Sequence, residues 1–530
     1  MGESNNESLA SSWLALGVVI IGTFMSILDS SIVNIALPKM MAVFGVSLDD
    51  IKWVLTAYTL ALGAIIPLTG YLQEILGAKR IYVFALAMFT VGSMLCGISW
   101  SNTSMIVFRI IQAIGGGMIM PVGMSIIYQI FPREKIGLAL GFWGIAAMAA
   151  PAIGPTLGGY IIEKMDWRLI FNVNVPVGIV GVILATILLK GSERKPFKAF
   201  DIIGFLSSTI GLVSVLYVLG EGSSIDWSKL ENPILMTLGC LSLVLFVANE
   251  LTHPSPLLDL RVFKLFEFSI SQIITSVLTL AMMGGVYVLP LFLQNVRGYT
   301  AMQSGLIMLP GALVMGVMMP VSGNLMNKVG VKALVVPGLI ILAGASYELA
   351  LAINMNSSKE SIVILNCIRS VGIGLSMMPI STSGMNVVPS HLISRASALS
   401  NTIRQIASSV SVTLMSTIIQ GRNDYNYAKL AEQINVYNKT SNDTINTFAR
   451  AFMGTGMDPN TAKASALSYI GKMIQGQAYT DAMAYSVMVT VVIIFLAIFL
   501  ALFMGSKKTP KKENKEGEKN ESTGGVLVSE

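Results

Sequence analysis

Charged side chains stand where water should be scarce. Asp29 lies inside the apolar run 13–37, Arg109 inside 105–128, Glu348 inside 332–353 and Arg369 inside 361–388. Each costs ~2.5–3.5 kcal/mol on insertion scales unless paired, and by default marks an ion path or a buried pair. Asp29 sits roughly 12 Å from the far end of its run and Arg109 roughly 6 Å below the matching end of its own, at ~1.5 Å per residue. The depths differ by about one helical turn, which an arginine side chain spans. The chemistry open to such a pair is uptake and release of a proton; the plainer alternative is a static tie between helices. Glu348 is open to three readings: a second proton site, a group that recognises a cationic substrate, or an acid snorkelling to the interface.

Other chemistry finds little support. No cluster of acids, histidines or serines gathers at one interface as a membrane enzyme would need, and there is no Walker loop for ATP coupling. Cys96, Cys240 and Cys367 fall in three separate runs, and His253 and His391 in separate connections. Neither a disulfide framework nor a metal or cofactor site is expected. The polar N-terminus lacks a basic segment and cleavage site, so it is not expected to be a signal peptide.

The elements that must hold these groups are membrane helices. Of 530 residues, 53% are hydrophobic and 12% charged, against about 25% charged in soluble domains. Glycine is abundant at 49 residues, as in helices that approach closely. Runs of spanning length fall at 13–37, 51–72, 81–100, 105–128, 137–162, 170–190, 200–220, 232–251, 268–293, 303–326, 332–353, 361–388, 404–420 and 483–505, fourteen in all. The run 404–420 is the least apolar.

Lysine and arginine in the connections set the expected orientation. With the N-terminus inside, inner loops hold fourteen bases, among them Lys79, Arg80, Arg194, Lys195, Lys198, Arg395 and Arg404, against seven in outer loops. Trp53, Trp100, Trp167 and Trp227 fall near outer ends, as an aromatic belt would. Residues 421–482 form a long polar stretch expected outside as two or three short helices. The tail 506–530 is expected to be disordered, and the net charge of +6 implies no nucleic-acid partner. A repeat is visible: Arg109, Gly115 and Pro121 in the fourth run match Arg369, Gly374 and Pro379 in the twelfth, as in repeat-built transporters.

Local motifs carry a resemblance. GYLQEILGAKR at 70–80 holds Gly70, Glu74, Gly77, Lys79 and Arg80 in a short inner loop, where acid and bases can form a charge latch. It resembles the loop motif of the major facilitator superfamily, with glutamate for the usual aspartate and Ile75 where a base is common. RIIQAIGGG at 109–117 resembles that superfamily's fourth-helix motif, in which the arginine assists proton coupling. GFWGIAAMAAPAIGPTLGG at 141–159 resembles the fifth-helix antiporter signature: Gly141, Gly154, Pro155, Gly158 and Gly159 match, with Pro151 adding pliability and Ala150 replacing a glycine. LDSSIVNIALP at 28–38, WVLTAY at 53–58 and DWRLIFNVNVPVG at 166–178 are similar to the fourteen-helix drug:proton antiporters. GNLMNKVG at 323–330 is a degraded copy of the latch loop.

The resemblance implies an all-α major facilitator fold: a cytoplasmic N-terminus 1–12, a six-helix bundle 13–190, an inserted pair within 191–262, and a second bundle 263–505 that includes 421–482. It implies alternating access in the plasma membrane, both termini cytoplasmic, with proton and substrate competing at Asp29 and Arg109. Asn34, Gln112, Met282, Met315 and Met378 are candidates for the substrate cavity, methionine suiting an adaptable wall. Expected partners are protons, lipid and a lipophilic small molecule, with the chain acting as a monomer. Pocket acids hint at lipophilic cations, and neutral antibiotics remain open. Two alternatives also stand: a carrier of one metabolite on the same fold, and a non-transporting scaffold or sensor.

Overall fold

The computed structural model describes residues 2–191, 200–222, 225–435 and 437–505. Arg194, Lys195, Lys198 and the tail 506–530 lie outside the described residues. Every regular element described is helical. The first half comprises α1 (Gly2–Phe44), α2 (Leu48–Ile65), α3 (Leu68–Leu76), α4 (Ala78–Gly97), α5 (Asn102–Ile130), α6 (Arg133–Lys164), the single turn α7 (Leu169–Asn172) and α8 (Asn174–Leu188). Next come α9 (Ile202–Gly220) and α10 (Glu231–Thr252). The second half comprises α11 (Phe266–Val286), α12 (Val288–Leu291), α13 (Ala301–Val329), α14 (Val331–Ala352), α15 (Lys359–Asn386), α16 (Ile393–Ala431), α17 (Lys439–Met453) and α18 (Pro459–Ala501).

Twelve spans among the described residues are long and apolar enough to cross a membrane, or thirteen if α2 and α3 count as one. The expected fourteen is not reached by this measure, because α16 is too polar. Its serines, threonines and asparagines face protein: Ser397, Ser400, Asn401, Thr402 and Ser411 are buried. A lipid-facing helix cannot afford such groups, but one enclosed by its neighbours can bond them internally. Thr402 and Asn401, for instance, donate to the carbonyls one turn back, Ala398 and Ser397, at 3.0 and 2.9 Å.

Several boundaries differ from expectation. The run 51–72 is not one helix: α2 and α3 meet at 54°, where Pro67 lacks an N–H and its ring opposes a continuous turn. Gly70–Leu76, expected as loop, is therefore helical, and the turn narrows to Gly77 at φ +85. Gly330, at φ +93, makes the matching turn between α13 and α14, so the degraded copy keeps the latch loop's backbone. Within 421–482, α16 runs on to Ala431 and α18 starts at Pro459, leaving α17 as the one separate helix; Phe448 and Phe452 of α17 pack on Tyr469 of α18. Trp167 is buried against Phe44 and Phe171 rather than standing in a belt.

Where the halves meet, α6 lies along α13. A Cβ on Gly137 would come within 2.5 Å of the Gly323 carbonyl oxygen, so only glycine permits this backbone approach. Nearby, Asn327 Nδ2 donates to the Glu134 carbonyl at 2.7 Å. α9 packs on α2 and α16, while α10 packs mainly on α9 and exposes Leu241 and Val244. Replacing Gly137 by leucine is therefore expected to wedge α6 from α13. The cost is that of overpacking, ~1–3 kcal/mol, read as a lower unfolding temperature in detergent. Leucine at Gly17, which has nothing within 4 Å, should change it little.

Candidate functional site

Asp29 and Arg109 form an ion pair at 2.6 Å, both side chains 0% exposed. The spacing of α5 places Gln112 one turn from Arg109 on the same face. Its Oε1 accepts from Arg109 Nη1 at 2.7 Å, and its Nε2 donates to Asp29 Oδ1 at 2.9 Å. Asn174, at the start of α8, donates to Asp29 Oδ1 at 3.2 Å and to Ser93 Oγ at 3.3 Å. The guanidinium also donates through Nε to the Val54 carbonyl at 3.4 Å and lies 4.0 Å from the Tyr58 ring centroid. Both Asp29 oxygens are thus engaged, and every partner comes from the first half. Two charges taken from water need such partners, because each unpaired lone pair or N–H left buried is costly; only Arg109 Nη2 is left without one in this network.

The pseudo-repeat is geometric but not chemical. Arg369 on α15 is buried like Arg109, yet it donates to Ser346 Oγ at 3.0 Å and to the Ala281 carbonyl. No acid pairs with it among the described residues.

A cavity of about 130 Å³ lies between the halves, walled by α1, α5 and α6 on one side and α11, α13, α15 and α16 on the other. Met282 and Met378 line it, with Trp143, Met120 and Met319. Other residues expected there lie elsewhere. Met315 is packed in the adjoining core, Gln112 belongs to the ion-pair network, and Asn34 is exposed, donating to the Ser30 carbonyl. Asp29 is not in the wall either, although Ile27, two residues earlier on α1, is. The expectation that substrate and proton compete at one carboxylate therefore needs correction: in this conformation the acid is sealed behind the wall. Glu348 is exposed on α14, close to its end, and does not reach the Asp29 network.

The latch motif acts across the halves. Glu74 on α3 accepts from Arg395 Nη2 on α16 at 2.9 Å, both side chains nearly buried. A Cβ on Gly70 would fall 3.1 Å from the Arg395 Cα, so the glycine brings α3 onto α16. Arg80 is exposed and Lys79 half-buried; the cross-half pairing is made by the acid rather than by these bases. Ser125 and Ser394 hydroxyls meet at 3.2 Å, and Ser397 Oγ donates to the Pro121 carbonyl at 2.8 Å, closing the same end.

The glycine- and proline-rich part of α6 has two faces. Gly141 abuts Pro320 of α13, while Gly154 and Gly158 abut Ser31 and Ile32 of α1. Ser31 Oγ donates to the Pro151 carbonyl at 3.3 Å, a carbonyl left exposed to side-chain donors in a helix interrupted by Pro155. Pro155 is half-buried and Gly159 buried, the latter placed 3.6 Å from Met302 Cβ of α13 for an added Cβ. α6 therefore touches both the segment after Asp29 and the opposite half.

Sequence reasoning missed Asn174, Arg395 and Arg404 as site residues. Asn174 had a signal, an asparagine in an apolar run. Arg395 and Arg404 were expected as loop bases; both lie within α16, and Arg404 lines the cavity.

Two helical halves about a central cavity, with a buried ion pair in one of them, define a polytopic carrier. The chain belongs to the Major Facilitator Superfamily, whose profile matches residues 19–412. It is 36% identical to the uncharacterized transporter YhcA of Bacillus subtilis, covering 88% of this chain and 87% of YhcA. It is 31% identical to the multidrug export protein EmrB of Escherichia coli K12, covering 79% of this chain and 82% of EmrB. The structure of the proton:xylose symporter XylE matches with a TM-score of 0.58 at 12% identity, covering 94% of this chain and 97% of that one, a likeness of fold. The protein is a multi-pass membrane transporter, not an enzyme.

Arg109→Gln should leave Asp29 buried without its counter-charge, a loss of ~3–5 kcal/mol. Thermal unfolding in detergent should show it. Removing both charges, with Asp29→Asn added, should recover most of that loss; a double variant no more stable than the single one would contradict the pairing.

Proposed function

We propose that this transporter exports lipophilic drugs by exchanging them for protons. The observation that carries the reading is the sealed Asp29–Arg109–Gln112–Asn174 network, lying two residues along α1 from a side chain of the cavity wall. The multidrug export named for EmrB supports the class of substrate, as does a largely apolar, methionine-rich wall.

In this reading residues 13–190 and 263–505 are the two moving bundles and 191–262 the inserted pair. The end carrying Glu74 and Arg395 faces the cytoplasm, with both termini, in the plasma membrane, and the chain works as a monomer. A proton arriving from outside neutralises Asp29. Arg109 then loses its charge partner inside a low-dielectric interior, and the network can rearrange. α1 transmits the change to α6 through the Ser31–Pro151 and Gly154–Gly158 contacts, and α6 in turn shifts against α13. The latch opens, substrate having left outward, and the proton escapes inward. Coupling runs through helix packing, so proton and drug need not touch. Glu348 plays no part in this cycle.

The drive suffices. One charge across 100 mV supplies ~2.3 kcal/mol and one pH unit ~1.4. Together, about 3.7 kcal/mol per proton sustains a gradient of several hundred-fold for a neutral substrate exchanged one for one.

Asp29→Asn should insert and still bind ligand in the cavity, but lose acceleration of export by an imposed pH gradient. Everted vesicles at matched expression measure this. Export that responds to the gradient as strongly as the parent protein's would remove Asp29 from the mechanism.

A further inference from the structure

The interior arginines differ in what answers their charge. Arg109 faces Asp29, Arg395 faces Glu74, and Arg369 spends its donors on Ser346 and the Ala281 carbonyl. Arg404 has none of these. No ion pair or hydrogen bond to it is found among the described residues, and its Nε is buried without a partner. Tyr128 is the titratable group it senses, a phenol that carries no charge at neutral pH. A guanidinium stays protonated at every physiological pH, so this charge is permanent.

Its position gives that charge a use. Among the described residues of the cavity wall, Arg404 alone is charged. Around it the wall is thioether, aliphatic and aromatic, and Ser408 on α16 and Ser381 on α15 add hydroxyl groups. The acids once expected to attract cations are elsewhere: Asp29 is sealed and Glu348 lies on an exposed face. An apolar chamber with one unanswered cation favours a ligand with a large apolar body and one negative group. A carboxylate meets guanidinium through two parallel N–H···O bonds, and a largely apolar wall makes that attraction stronger than it is in bulk water. A cationic ligand would meet repulsion, and a neutral one would gain no charge-assisted bond.

We propose that the cavity selects lipophilic organic anions, with Arg404 as the residue that determines this specificity. Only the direction of transport rests on the export reading above; the binding preference does not. One consequence concerns charge movement. Expelling one monoanion for one entering proton moves two elementary charges per cycle, where a neutral substrate moves one.

The test uses the full-length protein in nanodiscs at pH 7.4, with no gradient, and three probes sharing one apolar body: 1-pyrenebutyrate, its primary amide, and the matching trimethylammonium. Trp143 in the cavity wall supplies energy transfer to bound pyrene. The carboxylate should bind at least tenfold more tightly than the amide, and the ammonium more weakly than either. Arg404→Gln should bring carboxylate and amide within threefold of each other while leaving amide affinity nearly unchanged, and Arg404→Lys should keep part of the preference. Equal affinities for carboxylate and amide in the parent protein overturn the proposal, as does a preference that survives Arg404→Gln. If Arg404→Gln binds neither probe, Arg404→Lys decides: retained preference supports the assignment and equal affinities overturn it. Because no gradient is applied, failure here leaves the proton-exchange reading standing, and loss of export in Asp29→Asn leaves this preference untouched.

Discussion

An aspartate and an arginine 2.6 Å apart, neither reached by solvent, impose a condition on everything near them. Inside a protein a pair like this gains from mutual attraction only if its remaining donors and acceptors are also met. Gln112, Asn174 and the Val54 carbonyl meet all but Arg109 Nη2, which draws α2, α5 and α8 around α1 at one depth. The arrangement is stable in one protonation state. Adding a proton to the carboxylate removes the charge–charge attraction while the guanidinium remains charged, and the same enclosure that stabilised the pair then works against it.

The rest of the architecture can relay such a change. Cores of this density do not deform continuously but shift between discrete packings. α6 is the element that touches both the segment following Asp29 and the opposite half, and its glycines and prolines leave it with little side-chain bulk on either face. The closed end is held by few polar contacts: the Glu74–Arg395 pair, the Ser125–Ser394 contact, and the bonds from Ser397 and Asn327. A seam of small residues with a handful of specific bonds is compatible with two states of similar energy, whereas a broad interdigitated apolar interface is not. The unanswered Arg404 adds a second electrostatic element, on the other half and facing the cavity.

Much of this was legible in the chain before its fold. Charges within apolar runs stand out against the cost of burying them, so Asp29 and Arg109 could be found and even placed at compatible depths. Turn glycines announced Gly77 and, less clearly, Gly330. The largest failure has a plain cause: hydropathy assumes that a spanning segment faces lipid. α16 faces protein instead, so its polar side chains resemble a loop, and Arg395 and Arg404 were assigned to the connection preceding it. Asn174 escaped notice because one neutral amide barely changes the hydropathy of its run. Gln112 was recognised but assigned to the wrong side of the wall, since periodicity gives its face on α5 without saying what opposes that face. The partner of Glu74 lies 321 residues away, beyond any local pattern.

The central claim is that Asp29 gains and loses a proton as the transporter changes state. Infrared difference spectroscopy reads this directly, because a protonated carboxylic acid shows a carbonyl stretch that a carboxylate lacks. Comparing the protein locked by cysteine cross-links at one end and then at the other, a single buried carboxylic-acid band should appear in one state, vanish in the other, and be absent in both for Asp29→Asn. An Asp29 that stays ionised in both states would contradict the account.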